Sequence, residues 1–102
     1  LLVTNGHVDD HRAYGQPYGM PAQVFRGFGD GRFVELSAAT VGPFFEEQRL
    51  GSGMARVDWN RDGREDVVIS HLESPAALLT NTSTNTGHAL VLHLRGVTGD
   101  RD

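Results

Sequence analysis

The 102-residue chain contains no cysteine, which excludes disulfides, thiolate metal sites and cysteine nucleophiles together while leaving the compartment open. Lysine is absent too. The nine basic residues are all arginine and lie scattered, so no basic stripe tracks a phosphate backbone, and with a net charge of −4 nucleic acid is not an expected partner. No apolar run approaches the roughly 18 residues that span a bilayer, and the start shows no charged-then-apolar leader, so no membrane span is expected. Gly-x-Ser-x-Gly elbows, phosphate-binding loops of the Walker type and dinucleotide fingerprints are also missing.

What is present is globular in balance, with 38% hydrophobic and 22% charged residues. Thirteen glycines in turn clusters between short apolar runs predict an all-β chain with tight turns and two long inter-strand loops. Strands are expected at 1–4, 22–26 and 32–36, with a hairpin turn at Phe28-Gly29-Asp30-Gly31 and one helical turn within 43–48. After Gly51-Ser52-Gly53, further strands are expected at 54–58, 66–71, 76–81 and 88–95. Phe25 and Phe33 are expected in the core. Tyr14, Tyr18, Phe44, Phe45 and Trp59 are candidates for an interaction surface, Trp59 more naturally packing beside the loop described next.

The most specific chemistry lies in Asp58-Trp59-Asn60-Arg61-Asp62-Gly63-Arg64-Glu65-Asp66, which runs straight into Val67-Val68-Ile69. Oxygen-bearing side chains fall at positions 1, 3, 5 and 9, with glycine at position 6. That pattern suits a hard cation such as Ca²⁺, whose oxygen ligands can come from alternate residues of a curled loop. The predicted ligands are the side chains of Asp58, Asn60, Asp62 and Asp66 and the backbone carbonyl of Arg64. An EF-hand or dockerin loop would need a carboxylate at position 12, where this chain has Ile69. The same residues would also suit a bare β-turn, with Arg61 and Arg64 offsetting the carboxylates.

Two units correspond along the chain. Leu1-Leu2-Val3-Thr4-Asn5 answers Val67-Val68-Ile69-Ser70-His71, and Gln23-Val24-Phe25-Arg26 answers Ala77-Leu78-Leu79-Thr80. The expected architecture is about two four-stranded antiparallel blades of a β-propeller, a partial one over 1–50 and a complete one over 51–95. Leu1 opens a strand without run-in, as the middle of a longer protein would.

Several stretches together carry a family likeness: Val3-Thr4-Asn5-Gly6-His7-Val8, Gln23-Val24-Phe25-Arg26 with Gly31-Arg32-Phe33, Gly51-Ser52-Gly53-Met54-Ala55, the acidic loop, and Pro75-Ala76-Ala77-Leu78-Leu79. In that order they resemble the FG-GAP/VCBS-repeat β-propeller proteins that carry an ASPIC/UnbV domain, the cartilage acidic protein-like family. The resemblance implies a secreted or surface protein, and it makes 96–102 the start of a truncated ASPIC/UnbV-like module. There Gly99-Asp100-Arg101-Asp102 keeps the Arg-Asp of the family's Ser-Asn-Arg-Asp motif and loses Ser-Asn. The family often has Asp where this chain has Asn60, a change that keeps the oxygen and drops a charge.

His7-Val8-Asp9-Asp10-His11 spaces two imidazoles around two carboxylates, but Asn5-Gly6 opposes the helix that a zincin pair needs, and a loop-structuring role is expected. His71, His88 and His93 are expected at strand ends. Asn81-Thr82-Ser83 fits a glycosylation sequon in a turn. The function expected is a non-enzymatic, calcium-binding structural or interaction module in an extracellular, periplasmic or cell-surface propeller, with a protein or glycan partner. The alternatives are a metal-dependent enzyme using the His7 to His11 cluster, and a domain whose calcium mediates carbohydrate or protein adhesion. Two blades cannot close a ring, so self-association of the isolated segment is expected.

Overall fold

The computed structural model describes residues 1–85, 87 and 90. The strand expected at 88–95, the module start at 96–102, and His88 and His93 lie outside them. The fold is all-β, with two three-stranded antiparallel sheets and little helix. The first sheet is β1 (Leu2–Val3), β2 (Gln23–Gly27) and β3 (Phe33–Leu36), in that order. The second is β4 (Gly51–Val57), β5 (Asp66–His71) and β6 (Ala77–Leu79), again in chain order. Among the described residues, no helix is long and apolar enough to cross a membrane.

The β2–β3 hairpin closes where the Asp30 carboxylate accepts the Arg32 N–H at 3.1 Å and its guanidinium at 2.7 Å. β5 is the β-branched run Val67-Val68-Ile69, which suits the pleat, and its observed bounds match the expectation. Elsewhere the structure corrects the expected bounds. β4 begins at Gly51, three residues earlier than expected, with an irregularity in register between Gly51 and Gly53. A short helix α1 (Ala38–Val41) precedes the 3₁₀ turn at Pro43–Glu46, and only the latter was expected.

The two sheets share a register. Leu2 pairs with Val24 as Val68 pairs with Leu78, and Val3 with Gln23 as Ile69 with Ala77. Because cross-strand partners share a face and alternate residues change face, Leu2, Val24 and Leu36 form one side of the first sheet. Val67, Ile69 and Leu79 form one side of the second. Leu2, Val24 and Leu36 of the first sheet and Val67 and Leu79 of the second line one cavity of about 650 Å³.

A short stitch joins the layers. Met20 and Arg49 exchange backbone hydrogen bonds at 3.1 and 3.3 Å, Gly51 N–H donates to Asn5 O at 2.9 Å, and Leu72 N–H donates to Leu50 O at 2.9 Å. Gly51 is required here, because a Cβ on it would overlap Thr4 Oγ1. Leu50, Ala22 and Ile69 are the buried apolar residues among those described, and Ile69 alone is fully covered, at 0% exposure. Burying it contributes roughly 2 kcal/mol. Phe25 and Phe33 were expected in the core: Phe25 is half-buried, and Phe33, the first residue of β3 opposite Gly27, is 56% exposed.

Candidate metal centre

The acidic loop joins β4 to β5 and is built by its own carboxylates. Asp58 accepts two backbone N–H groups, from Asp62 at 3.0 Å through Oδ1 and from Gly63 at 3.0 Å through Oδ2. Asn60 Oδ1 accepts the same Asp62 N–H at 3.2 Å, so two ligand-type oxygens converge on one point of the loop. Asp62 accepts the Arg64 N–H at 2.9 Å and the Asn60 amide at 2.7 Å. The chain curls through left-handed conformations at Arg61 (φ 59) and Gly63 (φ 79), so the position-6 glycine stands where a side chain would be strained.

Asp66 behaves differently. Its side chain is buried at 1% exposure, and its carboxylate bridges two backbone donors, Trp59 N–H at 3.2 Å and Asn81 N–H at 2.7 Å. It therefore ties the start of the loop to the segment just after β6. Two further bonds reinforce that tie: Arg64 Nε donates to Asn81 O at 2.9 Å, and Trp59 Nε1 donates to Thr80 Oγ1 at 3.0 Å. Trp59 lies beside the loop as expected. The parts played by Thr80 and Asn81 were not foreseen, because nothing near residue 66 signals a partner fifteen residues on.

Charge in the loop is unevenly balanced. The Arg64 guanidinium pairs with Asp62, and the Arg64 N–H, more than any other contact, holds the Asp62 carboxyl below its ordinary range. Arg56 pairs with Glu65 at the rim. Neither Asp58 nor Asp66 has an ion-pair partner among the described residues. Four carboxylates thus share nine residues with two arginines, of which Arg64 forms an ion pair within the loop while Glu65 pairs outside it with Arg56. The donor set is all oxygen and carries excess negative charge, which fits a hard cation in chemistry. Its placement is less convergent: among the described residues no three His, Cys, Asp or Glu side chains come together as a metal cluster. Asp58, Asn60 and Asp62 gather, while Asp66 turns to Trp59 and Asn81.

The chain is similar to two curated proteins. It is 35% identical over 66 residues to Cartilage acidic protein 1 of Xenopus tropicalis and 38% identical over 65 residues to Cartilage acidic protein 1 of Homo sapiens. Each match takes in 64% of this chain and 10% of the relative, so the chain spans about a tenth of the length of the proteins it matches. No protein-family model matches the chain, and no solved structure matches it significantly.

The other sequence candidates fall apart from this loop. In the His7 to His11 segment, Asp10 accepts the Arg12 guanidinium at 2.6 and 2.9 Å and the Arg12 N–H at 3.1 Å. The first of these bonds leads in lowering the Asp10 carboxyl to about 2. His11 lies against Tyr14 with ring centroids 6.1 Å apart, at the start of an exposed 3₁₀ turn. His71 Nδ1 stands 2.9 Å from Pro75 O, at the end of β5. Tyr18 crosses to the second sheet's side, its hydroxyl donating to Glu73 at 3.0 Å.

Proposed function

We propose that the chain is a non-enzymatic structural and interaction module, two blades of a β-propeller in a secreted or surface protein, with calcium stapling the β4–β5 loop. The observation that carries this reading is the uncompensated charge of Asp58 and Asp66 in a loop of hard oxygen donors. The side chains of Asp58, Asn60, Asp62 and Asp66 and the carbonyl of Arg64 would hold the ion. Bound there, calcium would supply the positive charge that these carboxylates lack and convert its binding free energy into folding free energy. Because Asp66 also grips Asn81, a gain at the loop would pass to β6 through one side chain.

The propeller reading is supported by the common register of the two sheets and by the cavity that their apolar residues line together. An extracellular setting is supported by the similarity to cartilage acidic proteins, and a protein or glycan partner is the matching expectation. A structural part for the His7 to His11 segment is supported by the bonds that Asp10 accepts from the Arg12 N–H and guanidinium.

Calorimetry with added Ca²⁺ and with EGTA tests the calcium claim. At a calcium concentration 100-fold above Kd, the melting temperature should rise by about 10 °C or more. Tb³⁺ offers a second readout, since Trp59 adjoins the loop and should sensitise its luminescence, and Asp62→Ala should remove both signals. An unchanged melting temperature in saturating calcium would overturn the assignment.

A further inference from the structure

Alternation along β2 and β3 sends Gln23 and Glu35 to one side of the first sheet and Val24 and Leu36 to the other. The Gln23 amide is fixed at both ends: its Oε1 accepts from Asn5 Nδ2 at 3.0 Å, and its Nε2 donates to Glu35 Oε1 at 2.9 Å. Asn5 is held in turn, since its Nδ2 also donates to Pro21 O at 2.9 Å. This relay ends on a carboxylate that forms no ion pair among the described residues. Beside it lies a cavity of about 510 Å³, with Asn5, Gln23, Glu35 and Ser37 as polar lining and Met20 and Phe45 in its apolar wall. Small-ligand sites have this size and this mixture of apolar wall and a few fixed polar groups. In the cavity beside Tyr18, by contrast, the charges are already engaged: Arg49 pairs with Glu47, Arg12 with Asp10, and Glu73 accepts from Tyr18.

We propose that the cavity beside Glu35 takes a primary alkylammonium with an apolar stem, presented as the lysine side chain of a partner protein. The Glu35 carboxylate supplies the opposite charge, and the apolar wall suits the four-carbon stem behind the ammonium. An ammonium fits better than a guanidinium. One Glu35 oxygen already accepts from Gln23, which leaves single acceptors in place of the free two-oxygen fork that arginine favours. Those acceptors are the second Glu35 oxygen, the Ser37 hydroxyl, and the Asn5 carbonyl oxygen, both bonds of whose amide partner are spent on Pro21 and Gln23. Glu35 and Ser37 are exposed, so a side chain can reach them from solvent. The inference rests on the reading of the chain as an interaction module, whose partner it describes by its chemistry, and it does not require calcium.

Amide chemical-shift titration of the full 102-residue chain with Nα-acetyl-lysine amide tests it. Run in EGTA, the titration does not depend on the calcium staple, so that reading and this one can fail separately. The Gln23, Leu36 and Ser37 amides should shift with a dissociation constant of about 1 mM. Glu35→Gln keeps the shape of an exposed side chain and should weaken binding by about tenfold or more, while Glu46→Gln on the neighbouring 3₁₀ turn should leave it unchanged. Ala38→Phe, which fills the cavity without touching Glu35, should also abolish the shifts and replaces Glu35→Gln if the latter loses its amide dispersion. The uncharged norleucine analogue should not bind, and the arginine analogue should bind less tightly. n-Butylammonium should bind no tighter than the blocked lysine. The proposal is overturned if wild type shows no shifts at about twenty times the expected dissociation constant. It is equally overturned if folded Glu35→Gln binds like wild type, or if norleucine or arginine matches lysine. A site that takes butylammonium and rejects the blocked lysine would be one for free amines, and would overturn the assignment to a partner's lysine.

Discussion

The first and second sheets have the same strand order and register, yet their ends are held by different means. β1 is two residues long and reaches β2 only after a loop over 4–22, while β5 is six residues long and follows β4 across the acidic loop. The second sheet owns the fully buried apolar side chain, Ile69, and the buried carboxylate, Asp66. Its counterpart layer in the first sheet, Val3 and Phe25, is only half-buried. Equal hydrogen-bond geometry therefore coexists with unequal anchoring, and the inequality follows from what covers each face and from which carboxylates reach backbone donors.

The largest test of this contrast removes the anchor. Asp66→Ala would leave the Trp59 and Asn81 N–H groups without their acceptor, at a cost of about 3 kcal/mol, read as a lowered urea midpoint by Trp59 fluorescence. A loss under 1 kcal/mol would show that the two sheets are held alike. Next, Ile69→Ala should cost about 3 kcal/mol and Val3→Ala about 1 kcal/mol, because a cavity forms only where the side chain was fully enclosed. Equal losses would erase the distinction between the layers.

Gly51→Ala probes the seam between the sheets and should cost about 2 kcal/mol, since the added methyl meets Thr4 and the backbone of Asn5. Pairing it with Thr4→Gly should recover much of that loss, which a double-mutant cycle would measure. The smallest effect is in pH. The Asp62 carboxyl is depressed in the folded chain, so the unfolded chain takes up its proton first as pH falls. Stability from this group is complete above the ordinary value of 3.8 and is lost as pH drops through the folded value. Asp62→Asn should flatten that acid limb of the pH–stability curve while sparing the first sheet.

Local sequence was informative where a signal is local. The β-branched run after Asp66 marked β5 to the residue, and the glycine at position 6 of the loop, Gly63, stands at a left-handed turn. The match of 1–5 with 67–71 anticipated partners that do pair in register. The helix α1 went unseen, although Ser37 before it and Gly42 after it are ordinary boundary residues. β4 begins at a glycine that strand propensity disfavours, because the demand comes from Thr4 across the seam. Asp66 was legible as a loop carboxylate. Its grip on Asn81 was not, since burial and a partner beyond β6 are tertiary facts.

The unequal loops also set an order of events. Closing β4 onto β5 needs only the short acidic turn, and β6 follows five residues after β5, whereas β1 must find β2 across residues 4–22. Loop-closure entropy rises with length, so the local pairings of the second sheet come at less cost than that distant one. The second sheet is thus the expected folding nucleus, and the stitch at residues 49–51 is the edge along which the first sheet is laid down.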